Sequence, residues 1–380
     1  MASVTACGSG HAEQVVAVDL ASLDVGNYPT QPRQLGTVAN ISQARYIEAE
    51  RLGDYVPTPA DIDPRFVHAN PWIATVFLEP DASLGKIMAV DRFTEAAPDF
   101  IGGFVSSGES EANNYGIELT NAVMIFPDEA RAAAAATALE QLDFGYAPNN
   151  QPIEIPGYPA ARAHWQPDKQ SIGSWYATGN LVVYTWIYDY PKIFLHKVDR
   201  QALLDLVRRS LDTAVPSLAR FTPTPTDKML DLPRDRESMR ARIAPRLEFD
   251  AWINPPGVYA GMTARHFAND PVNVAKFVTD NGVDLYAIDG AELYRARDVA
   301  GAQAVRDELG GLTRKFTASA APSNLPEARC KEYIGRQQRL TIRFYCAVSY
   351  DRYAAYVWSN QLLDAQQRIS AQYALLVNAR

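Results

Sequence analysis

Hydrophobic and polar positions follow the same order over two stretches of the chain, Gly116 to Val215 and Gly282 to Leu376. Each reads as a strand, an alanine-rich helix, a short segment with Pro and Arg, a long aromatic strand and a closing amphipathic helix. Ala122 to Phe126 runs into Pro127-Asp128, a helix start, and a helix is expected from Ala130 to Leu142. Leu293 to Arg297, Asp298 and Ala300 to Leu309 repeat that pattern. Pro159-Ala160-Ala161-Arg162 corresponds to Pro326-Glu327-Ala328-Arg329. Aromatic strands are expected at Trp175 to Tyr190 and Leu340 to Tyr350, with closing helices at about Asp199 to Val215 and Ser359 to Leu376.

Matching landmarks carry the repeat upstream to Ile62. Ile62-Asp63-Pro64-Arg65 meets Ile243-Ala244-Pro245-Arg246, Trp72-Ile73 meets Trp252-Ile253, and Met88 meets Met262. Arg92-Phe93 meets His266-Phe267, and Phe104-Val105 meets Phe277-Val278. Before the repeat, Val15 to Leu20 alternates like a short strand, and Ser42 to Tyr55 has helical spacing ended by Pro57 and Pro59. The pattern predicts an α+β protein of two tandem, duplicated domains, each an antiparallel sheet with helices packed on one side. The division is 1–16 tether, 17–220 N-terminal domain, 221–240 Pro-rich linker and 241–380 C-terminal domain.

Composition narrows the functional classes. A hydrophobic content of 47% with 21% charge describes a folded chain. The net charge of −8 argues against nucleic acid as a partner, which needs a dense basic surface. No apolar run approaches the roughly 20 residues that cross a bilayer.

Val4-Thr5-Ala6-Cys7 matches the recognition box of bacterial lipoproteins, and Gly8-Ser9-Gly10 follows as a flexible tether. Cys7 is the expected lipid attachment, with Met1-Ala2-Ser3 standing in place of a removed leader; a free cysteine in a frayed terminus is the plainer reading. The runs LDVGNYPTQPR (Leu23 to Arg33) and EAERLGDYV (Glu48 to Val56), with Asp63-Pro64, resemble a lipoprotein family of mycobacteria, nocardiae, rhodococci and their relatives. An arginine-rich, lysine-poor composition suits such a GC-rich source. The resemblance covers nearly the whole chain. It implies an exported, lipid-anchored, two-domain envelope protein, and it brings no catalytic residues.

Among chemical candidates, Cys330 and Cys346 lie sixteen apart around a turn centred near residue 338, which sets them opposite one another. A disulfide is expected; two buried thiols or a metal pair lacking further ligands are the alternatives. Tyr184, Trp186, Tyr188 and Tyr190 share one strand face, a ladder suited to sugar rings or lipid tails if exposed, or to a covering helix if not. The comparable face of the second copy offers Phe344, Cys346, Val348 and Tyr350, so the ladder is expected in the first copy alone. Arg162 and Arg329 hold equivalent places and are candidates for an anionic group, or for clamping the repeat's own carbonyls.

Ser106 to Tyr115 reads as a polar insertion peculiar to the first copy. Its Ser106, Glu109 and Glu111 suit a solvated loop better than a nucleophile or an acid–base pair. His68 and His266 read as structural, and no metal-binding, nucleotide-binding or hydrolase motif occurs. No catalytic residue, metal or cofactor is assigned. The expected function is a non-enzymatic envelope lipoprotein binding a lipid or glycolipid, or an envelope protein partner. A hydrolase acting on envelope material, or a scaffold or sensor module, are the alternatives.

Overall fold

The computed structural model describes residues 18–70, 75–80, 84–112, 115–248, 256–336 and 342–379. Cys7 and the landmark pairs Trp72-Ile73 and Trp252-Ile253 lie outside them.

The first half contributes strands β1 (His68–Ala69), β2 (Thr75–Phe77), β3 (Gly102–Glu109), β4 (Ile117–Ile125), β5 (Gln151–Pro152), β6 (Arg162–Gln166), β7 (Ser171–Thr178) and β8 (Leu181–Asp189). Its helices are α1 (Ile41–Gly53), α2 (Pro59–Ile62), α3 (Phe93–Ala96), α4 (Glu129–Phe144), α5 (Tyr190–Phe194) and α6 (Arg200–Leu218). The second half adds β9 (Gly257–Ala260), β10 (Leu285–Ile288), β11 (Glu292–Arg295), β12 (Phe316–Ser319), β13 (Arg329–Tyr333), β14 (Phe344–Tyr350) and β15 (Tyr353–Ser359). With them come α7 (Pro271–Asp280), α8 (Val299–Leu309) and α9 (Leu362–Asn378).

Both sheets are antiparallel, and their strand orders correspond along one path, β1-β3-β4-β8-β7-β6-β5 in the first and β9-β10-β11-β15-β14-β13-β12 in the second, with β2 added on β3 in the first. The expected tandem α+β duplication is therefore a repeated topology. Asp128 and Asp298 cap α4 and α8 alike, each accepting from the amide three residues on, which satisfies a free N–H of the first turn.

Helices lie on both faces of each sheet. In the first half Met124, Val182 and Tyr184 face α4, while Val123, Val183 and Ile187 face α6. In the second half α8 packs on the face carrying Tyr294 and Ala354, and α9 on the face carrying Leu293 and Ala355. Strand alternation explains this: both sides of the central strands are apolar, so both need a cover.

Four expectations change. Helices cover both faces of each sheet instead of packing on one side, because both faces of the central strands are apolar. Trp175 to Tyr190 is a hairpin, β7 and β8, turning at Gly179 with φ +54°, a left-handed conformation that glycine adopts without a Cβ penalty. Phe104-Val105 lies in β3 whereas Phe277-Val278 lies in α7, so that landmark pair is not equivalent. Leu20–Ser22 forms a single 3-10 turn instead of the end of a strand.

The lead-in segment packs on the second half. Leu23 is buried with Ala365 and Ile369 of α9, Gln367 donates to Asp24 at 3.0 Å, and Asn378 donates to the Thr30 carbonyl at 2.8 Å. Arg33 reaches Asp289 at 3.1 Å.

The two halves meet on α1. Gly53 faces Phe104 of β3 so closely that a Cβ would come within 2.6 Å of the ring. The acidic residues of α1 turn the other way. Glu50 accepts from Arg240 at 2.6 Å and from the Val258 amide at 2.6 Å. Asp54 accepts from the Ala260 amide at 2.7 Å and the Thr263 hydroxyl at 2.8 Å. Glu48 holds the Pro-rich segment through the Thr224 amide at 2.7 Å and hydroxyl at 2.8 Å. A buried carboxylate is costly unless its lone pairs are met; those of Glu50 and Asp54 are met by Arg240 and the second half, those of Glu48 by the Pro-rich segment and Arg51.

Candidate functional site

One end of the first sheet stays uncovered where α4 stops, and a cleft of about 1560 Å³ opens there. Its floor is the continuation of β8 and β4 beyond the helix. Tyr184 lies under α4, fully buried, with its hydroxyl donating to the Ile87 carbonyl. Trp186, Tyr188 and Tyr190 are half-buried and line the cleft. Trp186 and Tyr188 stack at 5.3 Å and 30°, and Tyr188 and Tyr190 follow at 4.4 Å. The expected ladder thus splits: one ring belongs to the core and three form a platform.

The expected polar insertion is the far end of the β3–β4 hairpin. Ser106, Ser107 and Glu109 are buried in β3, and Glu109 sits directly opposite Glu118 in register. Strand alternation sends Ser107 and Glu109 to the cleft face and Ser106 to the other. Glu118 accepts from Tyr190 Oη at 3.2 Å, Asn70 Nδ2 at 3.4 Å and Ser107 Oγ at 3.4 Å. Burial pushes its carboxyl up, and the Glu109 charge adds to this, against the three hydrogen bonds. Tyr190 is raised in turn, first by burial and then by Glu118.

At the opposite wall His164 lies between two carboxylates, with Nδ1 3.2 Å from Glu140 and Nε2 3.2 Å from Asp143, its ring stacked on Trp175. Burial disfavours the imidazolium, but the hydrogen bonds and charges of Asp143 and Glu140 outweigh it and raise the pKa. His68, Asn149, Gln166, Asp168 and Lys169 complete the polar wall, and Asn269 and Lys315 of the second half close one side. Hydrogen-bonding groups therefore ring an aromatic floor.

The second copy fills this place. By strand register Tyr356 and Trp358 stand where Tyr184 and Trp186 do, so the ladder is partly duplicated on β15, not on β14 where the sequence comparison sought it. Register also matches Lys331 to His164 and Tyr345 to Gly173. Tyr345 stacks on Tyr356 at 5.6 Å, with Lys331 Nζ 5.6 Å over the Tyr356 ring. A tyrosine thus stands where the first copy has Gly173, whose missing Cβ makes room for the Trp175 ring.

The remaining sequence candidates lie elsewhere. Cys330 and Cys346 pair directly across β13 and β14 and form a disulfide. Ala163 and Ser174 hold their places in the first copy. Arg329 reaches Asp307 of α8 at 3.5 Å, and Arg162 is exposed; neither lines the cleft.

Ser106 meets His266 Nδ1 at 2.8 Å, the serine–histidine contact a hydrolase would need. The histidine is buried and carries a pKa lowered to about 3, first by burial and then by Arg265. Its other partner is the Val56 backbone, and the hollow around the pair is closed to a water-sized molecule. This pair joins β3 to the second half instead of facing a substrate. Among the described residues no group of three or more His, Cys, Asp or Glu is placed to hold a metal ion, and no helix is long and apolar enough to cross a membrane.

Two family models match the chain, "Domain of unknown function (DUF7373) N-terminal" over residues 35–234 and its C-terminal counterpart over residues 230–379. No curated protein matches. Among solved structures the extracellular domain of PknH from Mycobacterium tuberculosis is similar at 15% identity, covering 37% of this chain and 77% of that one, with a TM-score of 0.26.

Proposed function

The chain belongs to the DUF7373 family, and from that premise we propose that it is an exported cell-envelope lipoprotein that binds the saccharide part of an envelope glycolipid. The observation that carries this reading is the Trp186–Tyr188–Tyr190 platform, set among Glu118, Asn70, Gln166 and Asp168 in one cleft. Ring faces bury the apolar face of a pyranose, while carboxylates and amides meet its hydroxyls. A lipid tail offers nothing to those polar groups and would strip them of water at a cost. The volume exceeds that of a drug-sized pocket, which suits several sugar units.

Export is supported by the Cys330–Cys346 bond, since disulfides persist in oxidising compartments. The lipobox at Cys7 supplies the anchor in this reading. Mass spectrometry of the intact protein from a native host, with and without a lipase, tests the acylation. Titration calorimetry with envelope glycans and with fatty acids tests the ligand. Saccharide binding weakened about tenfold in Trp186→Ala is the expected result; fatty-acid binding with no saccharide binding would sink the proposal.

A further inference from the structure

The rim of the cleft continues into a feature that the saccharide reading leaves unused. α5 follows the platform directly, and its outer end presents Phe194, Leu195 and Val198 at 68%, 60% and 66% exposure. Apolar side chains clustered in water mark a surface that gains by being covered. The tip is well ordered by its own bonds. Asp189 caps α5 through the Lys192 amide at 3.0 Å, Leu195 N–H donates to the Pro191 carbonyl at 3.0 Å, and Lys197 N–H donates to the Lys192 carbonyl at 2.8 Å. His196 takes φ +50°, turning the chain out and back. Tyr115, 70% exposed, lies near the base of α5, since the next residue's carbonyl accepts the Tyr190 N–H at 3.3 Å.

Charge says what covers this tip. Lys197 and Arg200 flank it, while Lys192 is paired with Asp199 at 3.0 Å and Asp189 lies at the base of α5, in a chain whose net charge is −8. Aromatic and aliphatic anchors bordered by cations fit the interface of an anionic bilayer, with the side chains at the acyl boundary and the cations at headgroup phosphates. The acidic remainder of the surface is repelled by the same field, which favours this one orientation.

We propose that the Phe194–Leu195–Val198 tip is a membrane-contact element that seats in the headgroup region of an anionic bilayer and holds the mouth of the cleft against it. This goes beyond a lipid anchor, and its test requires neither the anchor nor a saccharide, so it fails or succeeds separately from the proposed function.

The full chain without acylation is mixed with vesicles of phosphatidylcholine, or of phosphatidylcholine with phosphatidylglycerol, and sedimented at low salt. The expected result is pelleting with the anionic vesicles, weakened at least about tenfold in Phe194→Asp/Leu195→Asp. Lys197→Glu is expected to weaken binding several-fold and Lys197→Arg to preserve it. Equal pelleting of parent and double variant, or no pelleting of the parent, overturns the proposal. So does concentration-dependent self-association of the parent that Phe194→Asp abolishes, which would assign the tip to a second copy of the chain.

Discussion

Glu50 and Arg240 meet at 2.6 Å across the boundary between the two halves, their side chains only 5% and 14% exposed. The carboxylate also takes the Val258 amide, so its loss strands both a guanidinium and a backbone N–H of the second half. Removing one partner of a buried pair leaves the other charge without a partner. Glu50→Ala is therefore expected to cost about 3 kcal/mol. It should also separate unfolding into two transitions in urea, followed by circular dichroism and tryptophan fluorescence. One unchanged transition would show that α1 is not the clamp.

The disulfide offers a transplant. Cys330 and Cys346 close a loop with a sequence separation of 16 and pair in register, as Ala163 and Ser174 do in the first copy. Ser174 Oγ is buried without a hydrogen-bond partner, so little is lost by replacing it. Ala163→Cys/Ser174→Cys is expected to oxidise spontaneously and add about 2–3 kcal/mol of stability, erased by reductant. Thiol titration and melting with and without dithiothreitol decide it.

His164 should make the first half pH-sensitive. Its folded pKa is raised above the ordinary 6.5. The proton is therefore bound more tightly in the folded state. The stabilisation is complete below the unfolded value and disappears as pH rises through the folded one. The parent is expected to lose stability relative to His164→Gln as pH rises above the ordinary histidine value of about 6.5, read from melting temperatures in matched buffers. Parallel curves for the two proteins would contradict it.

Much of the architecture was legible in the chain itself. Asp128 and Asp298 marked the starts of α4 and α8, and Arg162 and Arg329 proved to be register equivalents. The cysteine pairing followed from spacing around a turn. Glu118 was not legible, because a glutamate in a strand with apolar neighbours carries no local sign of what faces it. Its chemistry arises from Glu109 directly opposite and from Tyr190 and Asn70, 72 and 48 residues away. Tyr356 and Trp358 escaped for a related reason: matching strands by aromatic content paired the wrong members of two hairpins, which hydrogen-bond register corrects. The Glu48–Val56 run looked like a family signature without a purpose, and only the fold shows its acids reaching the far half.

Glu118 gives a pH signature to binding. Burial and Glu109 hold its carboxyl above the ordinary 4.5, so in mild acid it carries a proton and becomes a donor as well as an acceptor. Saccharide affinity is expected to change across a titration lying above pH 4.5, and Glu118→Gln should flatten that profile while keeping most of the affinity. Trp186→Ala should instead weaken binding about tenfold at every pH. Calorimetric titrations over the pH range separate the two effects.

Asn269 and Lys315 reach the cleft from the second half, while Glu48, Glu50 and Asp54 fasten the halves to one helix. The opening between its walls is thus set by a joint that is bolted, not hinged. If the cleft binds a saccharide as proposed, such a mouth is expected to work as a caliper, admitting ligands of one girth and rejecting wider ones without closing around either.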